Sequence, residues 1–333
     1  MYFAFFGVER CPFAVSPDPD CLYAPAQYRD ALSGLSYGIL NRKGFLMLTG
    51  DAGTGKTTLC ARVTSRVPSE RMQATTISNP TVPPEEFLEL LLWGFGHQEI
   101  PHAKVSKLIH LNCFLKSCWE QGKVAALIID EAHLMPVATL EEVRMLGNLC
   151  QDGIPLLQIV FSGQNQLIDL FNRDDLRQLK QRIAVRVSLE ALSQGQIGEY
   201  MQFRWRRAGA SRPCPFTAEA TACVATLSQG VPRVVNTLCD NALLFAFAEE
   251  SLIVTAEHVR AAAKELCIEP PAPATAPRSQ PTKAESGATA VGGNGVIPRI
   301  GNPVFELQTL NRYLPPAQPL LARLARKLGF AQA

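Results

Sequence analysis

Residues 44–59 read Gly44-Phe45-Leu46-Met47-Leu48-Thr49-Gly50-Asp51-Ala52-Gly53-Thr54-Gly55-Lys56-Thr57-Thr58-Leu59. The apolar run from Phe45 to Leu48 has the make-up of a short buried strand. Gly50 to Thr57 then fits G-x-x-x-x-G-K-[ST], the pattern of a phosphate-binding loop, and 59–67 reads as a helix. Strand, glycine loop and helix together give the motif its meaning; a bare glycine-rich turn binds nothing. Polyphosphate has to approach backbone N–H groups, so Gly50, Gly53 and Gly55 clear side chains from its path and tolerate positive φ. The helix start adds partial positive charge. Lys56 is placed to reach β- and γ-phosphates, and Thr57 to offer its hydroxyl to Mg²⁺. Asp51, Ala52, Thr54 and Thr58 complete the candidate cradle.

A second apolar run, Val124 to Ile129, ends in Asp130-Glu131-Ala132-His133. Continuous apolar character suits a parallel strand buried on both faces. Ligands of open α/β sheets bind at the C-terminal strand edges, where this acidic pair would lie. Asp130 is the candidate to hold Mg²⁺ through its water shell, and Glu131 the candidate to polarise an attacking water. Further strands are expected at 73–78, 155–161 and 184–187. The strand at 155–161 leads into Ser162-Gly163-Gln164-Asn165, where Ser162 and Gln164 are both candidates to sense a γ-phosphate or orient the attacking water. Helices are expected at 26–41, 84–93, 105–121, 140–149 and 174–181. Arg177, and Arg182 just past the end of the last, are candidates to reach the phosphates of a neighbouring subunit; an ordinary surface arginine is the alternative.

Upstream of the loop, Phe5-Phe6-Gly7 and Pro12-Phe13 are apolar anchors in a turn-rich segment. It either covers a bound adenine or caps the core. Downstream, helical patterns at 193–208, 217–227, 232–248 and 255–266 describe a small all-α domain. Arg233, at the start of the third, is placed to turn toward a γ-phosphate. Arg204, Arg206, Arg207 and Arg212 form a basic cluster, read as the solvated side of a helix in preference to a nucleic-acid surface. Residues 269–295 are rich in Pro, Ala, Gly, Ser and Thr without periodicity, the composition of a flexible linker. Beyond them, 320–330 is a short amphipathic candidate, either a docking tail or a loose terminus.

The chain has 333 residues, 47% of them hydrophobic, and a net charge of +2. That is room for about two domains with a sizeable core. Bulk charge favours neither nucleic acid nor membrane. The ten cysteines form no C-x-x-C pair, and His97, His102 and His110 lack ligand spacing, so no zinc site is expected. No apolar run nears the roughly 18 residues of a spanning helix, and no signal peptide is read. A cytoplasmic location is the expectation.

The order of features resembles the AAA+ ATPases related to general secretion pathway protein A, within the origin-recognition-like group. The resemblance rests on Phe5-Phe6-Gly7, Pro12-Phe13, Pro17-Asp18-Pro19, Leu22-Tyr23, Gly44-Phe45 and the loop. It continues through Ile129 to His133, Leu157 to Val160, Gly163-Gln164, Gln181-Arg182-Ile183 and Gly230-Val231-Pro232-Arg233. It implies Walker A roles for Lys56 and Thr57 and Walker B roles for Asp130 and Glu131. It implies a sensor-1 position at Gln164, a sensor-2 arginine at Arg233 and an arginine finger at Arg182, with Arg177 second. The family's Gly-Gln-Pro-Glu-Leu stands here as Gly163-Gln164-Asn165-Gln166-Leu167. The secretion proteins also carry a transmembrane helix and a peptidoglycan-binding domain after the ATPase; neither is read here, so a stand-alone relative is expected.

The fold expected is α/β, a P-loop NTPase with a doubly wound parallel five-stranded sheet followed by a helical lid. The division expected is 1–43 packing near the nucleotide, 44–190 as the ATPase core, 191–268 as the lid, 269–300 as linker and 301–333 as tail. The function expected is binding and hydrolysis of ATP with Mg²⁺ by an ATP-dependent homo-oligomer. It would act as a motor or switch in secretion or envelope assembly, pilus and exopolysaccharide systems included, with a protein partner there. An ATP-dependent DNA-binding regulator of transposition is the alternative, and a non-hydrolysing nucleotide-gated scaffold a third.

Overall fold

The central strands are buried along their whole length and the outer ones are not. In the computed structural model, which describes residues 2–16, 18 and 21–269, β1 (Phe45–Gly50) and β3 (Val124–Ile129) bury every residue. So does β6 (Leu157–Gly163). β2 (Met72–Ile77) and β7 (Ile183–Leu189) alternate between buried and open positions. Full burial is what a strand covered by helices on both faces requires, and alternation marks the margins. The order is β2-β3-β6-β1-β7, with all pairings parallel. Between β3 and β6 a two-residue ladder joins β4 (Cys150–Gln151) to β5 (Ile154–Pro155).

Crossover helices cover the sheet, as parallel pairing demands. α2 (Ala26–Leu40) precedes β1 and buries Tyr28, Ala31, Leu32, Leu35 and Ile39. α3 (Lys56–Arg66) follows the loop, with α4 (Pro84–Gly94) and α5 (Lys104–Glu120) between β2 and β3. Phe45, Met47, Leu127, Ile159 and Phe161 form one apolar face, packed under Phe87, Leu91, Leu111, Leu115, Leu140 and Val143. Alternate residues such as Leu46 and Leu48 point to the other face and are equally buried.

Several expected bounds shift. The helix expected at 59–67 is α3, which starts at Lys56, and the strand expected at 184–187 is β7, which runs from Ile183 to Leu189. The helix expected at 140–149 is α6 (Val137–Leu146), because Pro136 opens it and Gly147 closes it. The strand expected at 155–161 starts two residues later, since Pro155 has no N–H for a ladder and pairs at β5 instead. The span 174–181 divides into a 3₁₀ turn, Asp174–Leu176, and α8 (Arg177–Gln181); α7 (Gln166–Phe171) comes just before it.

The remaining helices are α9 (Gln194–Arg207), α10 (Ala218–Ser228), α11 (Pro232–Ala248) and α12 (Ala256–Glu265). Ser193 and Gln196 form a capping box at the start of α9. Pro232 occupies the first turn of α11, where its missing N–H costs nothing. The N-terminal segment is not simply turns: Phe3–Phe6 is a short helix, α1. Its rings pack on this helical layer, Phe6 against Trp205, Phe5 against Phe247 and, farther on, Phe13 against Phe216. The described residues up to Glu269 belong to one compact unit. The linker and tail expected beyond it, with the 320–330 amphipathic stretch, lie outside the described residues, as do Pro17 and Pro19.

Gln158 ties the start of β1 to β6. It is wholly buried; its Oε1 accepts from the Gly44 N–H at 2.7 Å and its Nε2 donates to the Pro155 carbonyl at 2.9 Å. Gln158→Leu keeps the volume but leaves both groups without a partner, and we expect a loss of about 1–3 kcal/mol. A urea melt checks this; an unchanged midpoint would contradict it.

Candidate functional site

Parallel register brings three strand ends to one edge of the sheet. Thr49 of β1 lies opposite Gly163 of β6, and Phe161 of β6 opposite Ile129 of β3. The phosphate loop, Ser162 and Asp130 therefore emerge side by side, with β6 between the other two strands.

Asp130 is 5% exposed. Its Oδ2 accepts from the Thr57 hydroxyl at 2.5 Å. Its Oδ1 accepts from the Ser162 hydroxyl at 2.7 Å and the Glu131 N–H at 3.1 Å. Three donors offset the desolvation of that carboxylate. Ser162, considered for contact with phosphate, is spent on Asp130. Cys60 is also buried nearby, and burial pushes its thiol up to about 12, so it stays neutral.

Lys56 is likewise buried. Its Nζ donates to the carbonyls of Gly50 at 2.8 Å and Asp51 at 2.9 Å. Burial draws its pKa below the usual lysine value, while the charges of Glu131, Asp130 and Asp51 oppose that shift. The loop closes under the helical layer at Gly53, whose φ is +81°. A Cβ there would stand 2.8 Å from the Cβ of Arg233, so only glycine fits. The Arg233 N–H donates to the Gly53 carbonyl at 3.3 Å. The Tyr28 hydroxyl holds the loop from its other side by donating to the Thr54 carbonyl.

Glu131 has φ +50°, a left-handed conformation that costs a non-glycine residue about 1 kcal/mol or more. Its side chain is 42% exposed, yet Oε2 is buried without a hydrogen-bond partner. That oxygen lies 3.4 Å from Nδ1 of His133, which also accepts from the Gln164 N–H at 3.4 Å. A buried, orphaned carboxylate oxygen above a loop of backbone N–H groups fits a site completed by a ligand. A threonine hydroxyl in contact with a carboxylate is an all-oxygen set suited to Mg²⁺.

The loop residues from Ala52 to Thr58 line one cavity of about 210 Å³ together with Glu131, Gln164 and Arg233. Gly50 and Asp51 supply the carbonyls under Lys56, and Asp130 lies beneath Thr57. Arg182 is not among them. It is exposed, and it donates to the Arg144 carbonyl at 3.2 Å and the Asn148 Oδ1 at 2.5 Å. Arg177 is exposed on α8. Neither arginine serves the cleft of its own chain.

The basic cluster does not form one solvated side. Arg204 is 7% exposed and donates to the carbonyls of Pro12 at 2.7 Å and Ala14 at 2.8 Å. It is thereby lost to any DNA-binding surface. Its position in the series Ile197, Tyr200, Met201, Arg204, Trp205, the buried stripe of α9, was the signal for this. Arg204 joins Tyr23, Tyr200 and Asn236 in lining the same cavity. The rings of the N-terminal segment pack into the helical layer, and Ala14, Val15 and Leu22 line the cleft.

An AAA domain model matches residues 39–171. General secretion pathway protein A of Aeromonas hydrophila is 36% identical over 271 residues, which make up 80% of this chain and 48% of that protein. The chain thus spans about half the length of this relative. The Aeropyrum pernix ORC2 protein, in ADPNP-ADP complexes, has a TM-score of 0.60 at 17% identity, covering 77% of this chain and 71% of its own. The Thermotoga maritima RuvB Holliday junction branch migration motor has 0.53 at 16%, over 77% and 74%. At such identities the likeness to solved structures speaks for the fold alone. Loop, strand order and sequence relative agree: the chain carries an AAA domain on the fold of the AAA+ P-loop NTPases, and general secretion pathway protein A is among its relatives.

Proposed function

We propose that this chain binds ATP and hydrolyses it, and that the cycle drives a switch or motor in secretion or envelope assembly. The observation that carries hydrolysis is the convergence of Lys56, the Thr57–Asp130 contact and the orphaned Glu131 carboxylate on one cleft. Lys56 Nζ, held by two carbonyls, has only to exchange those neutral partners for phosphate oxygens, a stronger charge-assisted bond. Glu131 aligns a water for in-line attack on the γ-phosphate and accepts its proton. Arg233, at the start of α11 and bonded to the loop, couples the helical lid to the phosphate end. Mg²⁺, which Thr57 and Asp130 would hold, offsets the charge developing on the phosphate oxygens.

The assembly role draws on the Aeromonas relative, and an oligomer on the placement of Arg182. An exposed arginine outside its own cleft suits an arginine finger acting on a neighbour. The ten cysteines are all free, as a cytoplasmic chain keeps them. Among the described residues no helix is long and apolar enough to cross a membrane.

Lys56→Ala is expected to abolish ATP binding, whereas Glu131→Gln keeps binding and loses turnover. Titration with ATP and a phosphate-release assay check both; equal ATP affinity in wild type and Lys56→Ala would contradict the proposal. Retained binding with no release by wild type would leave a nucleotide-gated scaffold instead. Ser162→Ala removes one donor from Asp130. The Mg²⁺ concentration for half-maximal turnover should rise about 10-fold, with little change in maximal rate at saturating Mg²⁺. An unshifted Mg²⁺ titration would dismiss the role given to Ser162.

A further inference from the structure

The wall of the cleft built by α9 and α11 holds a relay that hydrolysis does not use. Arg204 spends its guanidinium donors on the carbonyls of Pro12 and Ala14. Tyr200, one turn earlier on α9, is buried beside that cation; burial pushes its phenol up, so it stays a neutral O–H donor. A cation next to the phenol oxygen turns the hydroxyl proton away from itself. The hydroxyl donates instead to Oδ1 of Asn236, at 2.7 Å.

That bond sets the amide. Its oxygen is engaged with Tyr200, so the NH₂ group points elsewhere, and Nδ2 has no hydrogen-bond partner among the described residues. Asn236 is 6% exposed and lines the cleft. It sits three residues along α11 from Arg233, whose N–H meets the loop at Gly53. The donor therefore lies about one helical turn along α11 from the residue that meets the loop, so a ligand anchored at the loop can reach both. With Oδ1 engaged by Tyr200, Nδ2 is the donor that Asn236 presents to the cleft, open to an acceptor on a ligand.

We infer that Asn236 is a specificity-determining residue that donates from Nδ2 to a ring nitrogen of the purine base, with Tyr200 and Arg204 as positioning residues. This rests on the cleft being an ATP site. Adenine offers bare acceptors at N1, N3 and N7; its exocyclic amine is a donor and repels Nδ2. A donor fixed by a buried chain discriminates well, because a base without the acceptor leaves the amide unpaired again.

The test uses the full chain and calorimetric titration with ATP and its 1-, 3- and 7-deaza analogues. One analogue should bind wild type roughly 3- to 10-fold more weakly than ATP, and that penalty should vanish in Asn236→Ala. Asn236→Asp keeps an acceptor for Tyr200 while exchanging the donor for an oxygen, so it guards against a variant that simply misfolds. It should weaken ATP by at least the same factor. The inference is overturned if every analogue loses equally in wild type and variants, or if Asn236→Asp binds ATP like wild type. A penalty that tracks 2′- or 3′-deoxy ATP instead moves the contact to the ribose and also overturns it. Folded wild type that binds no ATP at all would sink the ATP site itself; ATP binding without coupling sinks only the role of Asn236.

Discussion

A buried carboxylate needs partners, and most of this site follows from how Asp130 finds them. Left alone at 5% exposure, its charge would cost several kcal/mol. It is accepted because Thr57 comes from the phosphate loop, Ser162 from the neighbouring strand and the Glu131 N–H from the next residue. Those three donors come from three segments, so the bonds hold β3, β6 and the start of α3 in one arrangement. The strand order makes it possible: with β6 between β1 and β3, a small hydroxyl residue at 162 bridges the gap. A bulkier apolar residue there would leave one carboxylate oxygen without its hydroxyl partner.

The helical layer and the N-terminal segment depend on the same edge from above. Gly53 lets the loop touch the turn at Val231 and Arg233, so any movement of α11 is felt at the loop. The segment from Tyr2 to Ser16 is stitched to that layer by ring packing and by Arg204, and its last residues face the cleft. Loop, helical layer and leading segment thus share one cavity. A ligand held in it would touch all three, so the loop and the helical layer would respond to it together.

Elements with clear punctuation at an end were legible in the sequence. β3 matches the expected 124–129 and α11 the expected 232–248, one bounded by Gly122-Lys123 and Asp130, the other opened by Pro232. Where a proline or glycine was passed over, the bounds moved, as at Pro136, Gly147 and Pro155. The loop and the acidic pair were legible because their chemistry is written in consecutive residues. Tyr28, Ser162, Tyr200, Arg204 and Asn236 were not, since each meets its partner across a long stretch of chain. Arg204 was misjudged because charge was weighed above helical period; its carbonyl partners, 192 and 190 residues upstream, could only be seen folded.

The measurement that bears most directly on the central claim is a crystal structure with Mg²⁺ and a non-hydrolysable ATP analogue. The account predicts phosphate density in the loop, with Lys56 Nζ moved from the carbonyls of Gly50 and Asp51 onto a phosphate oxygen and the cation beside Thr57 and Asp130. An analogue bound elsewhere, with Lys56 still on its carbonyls, would contradict it.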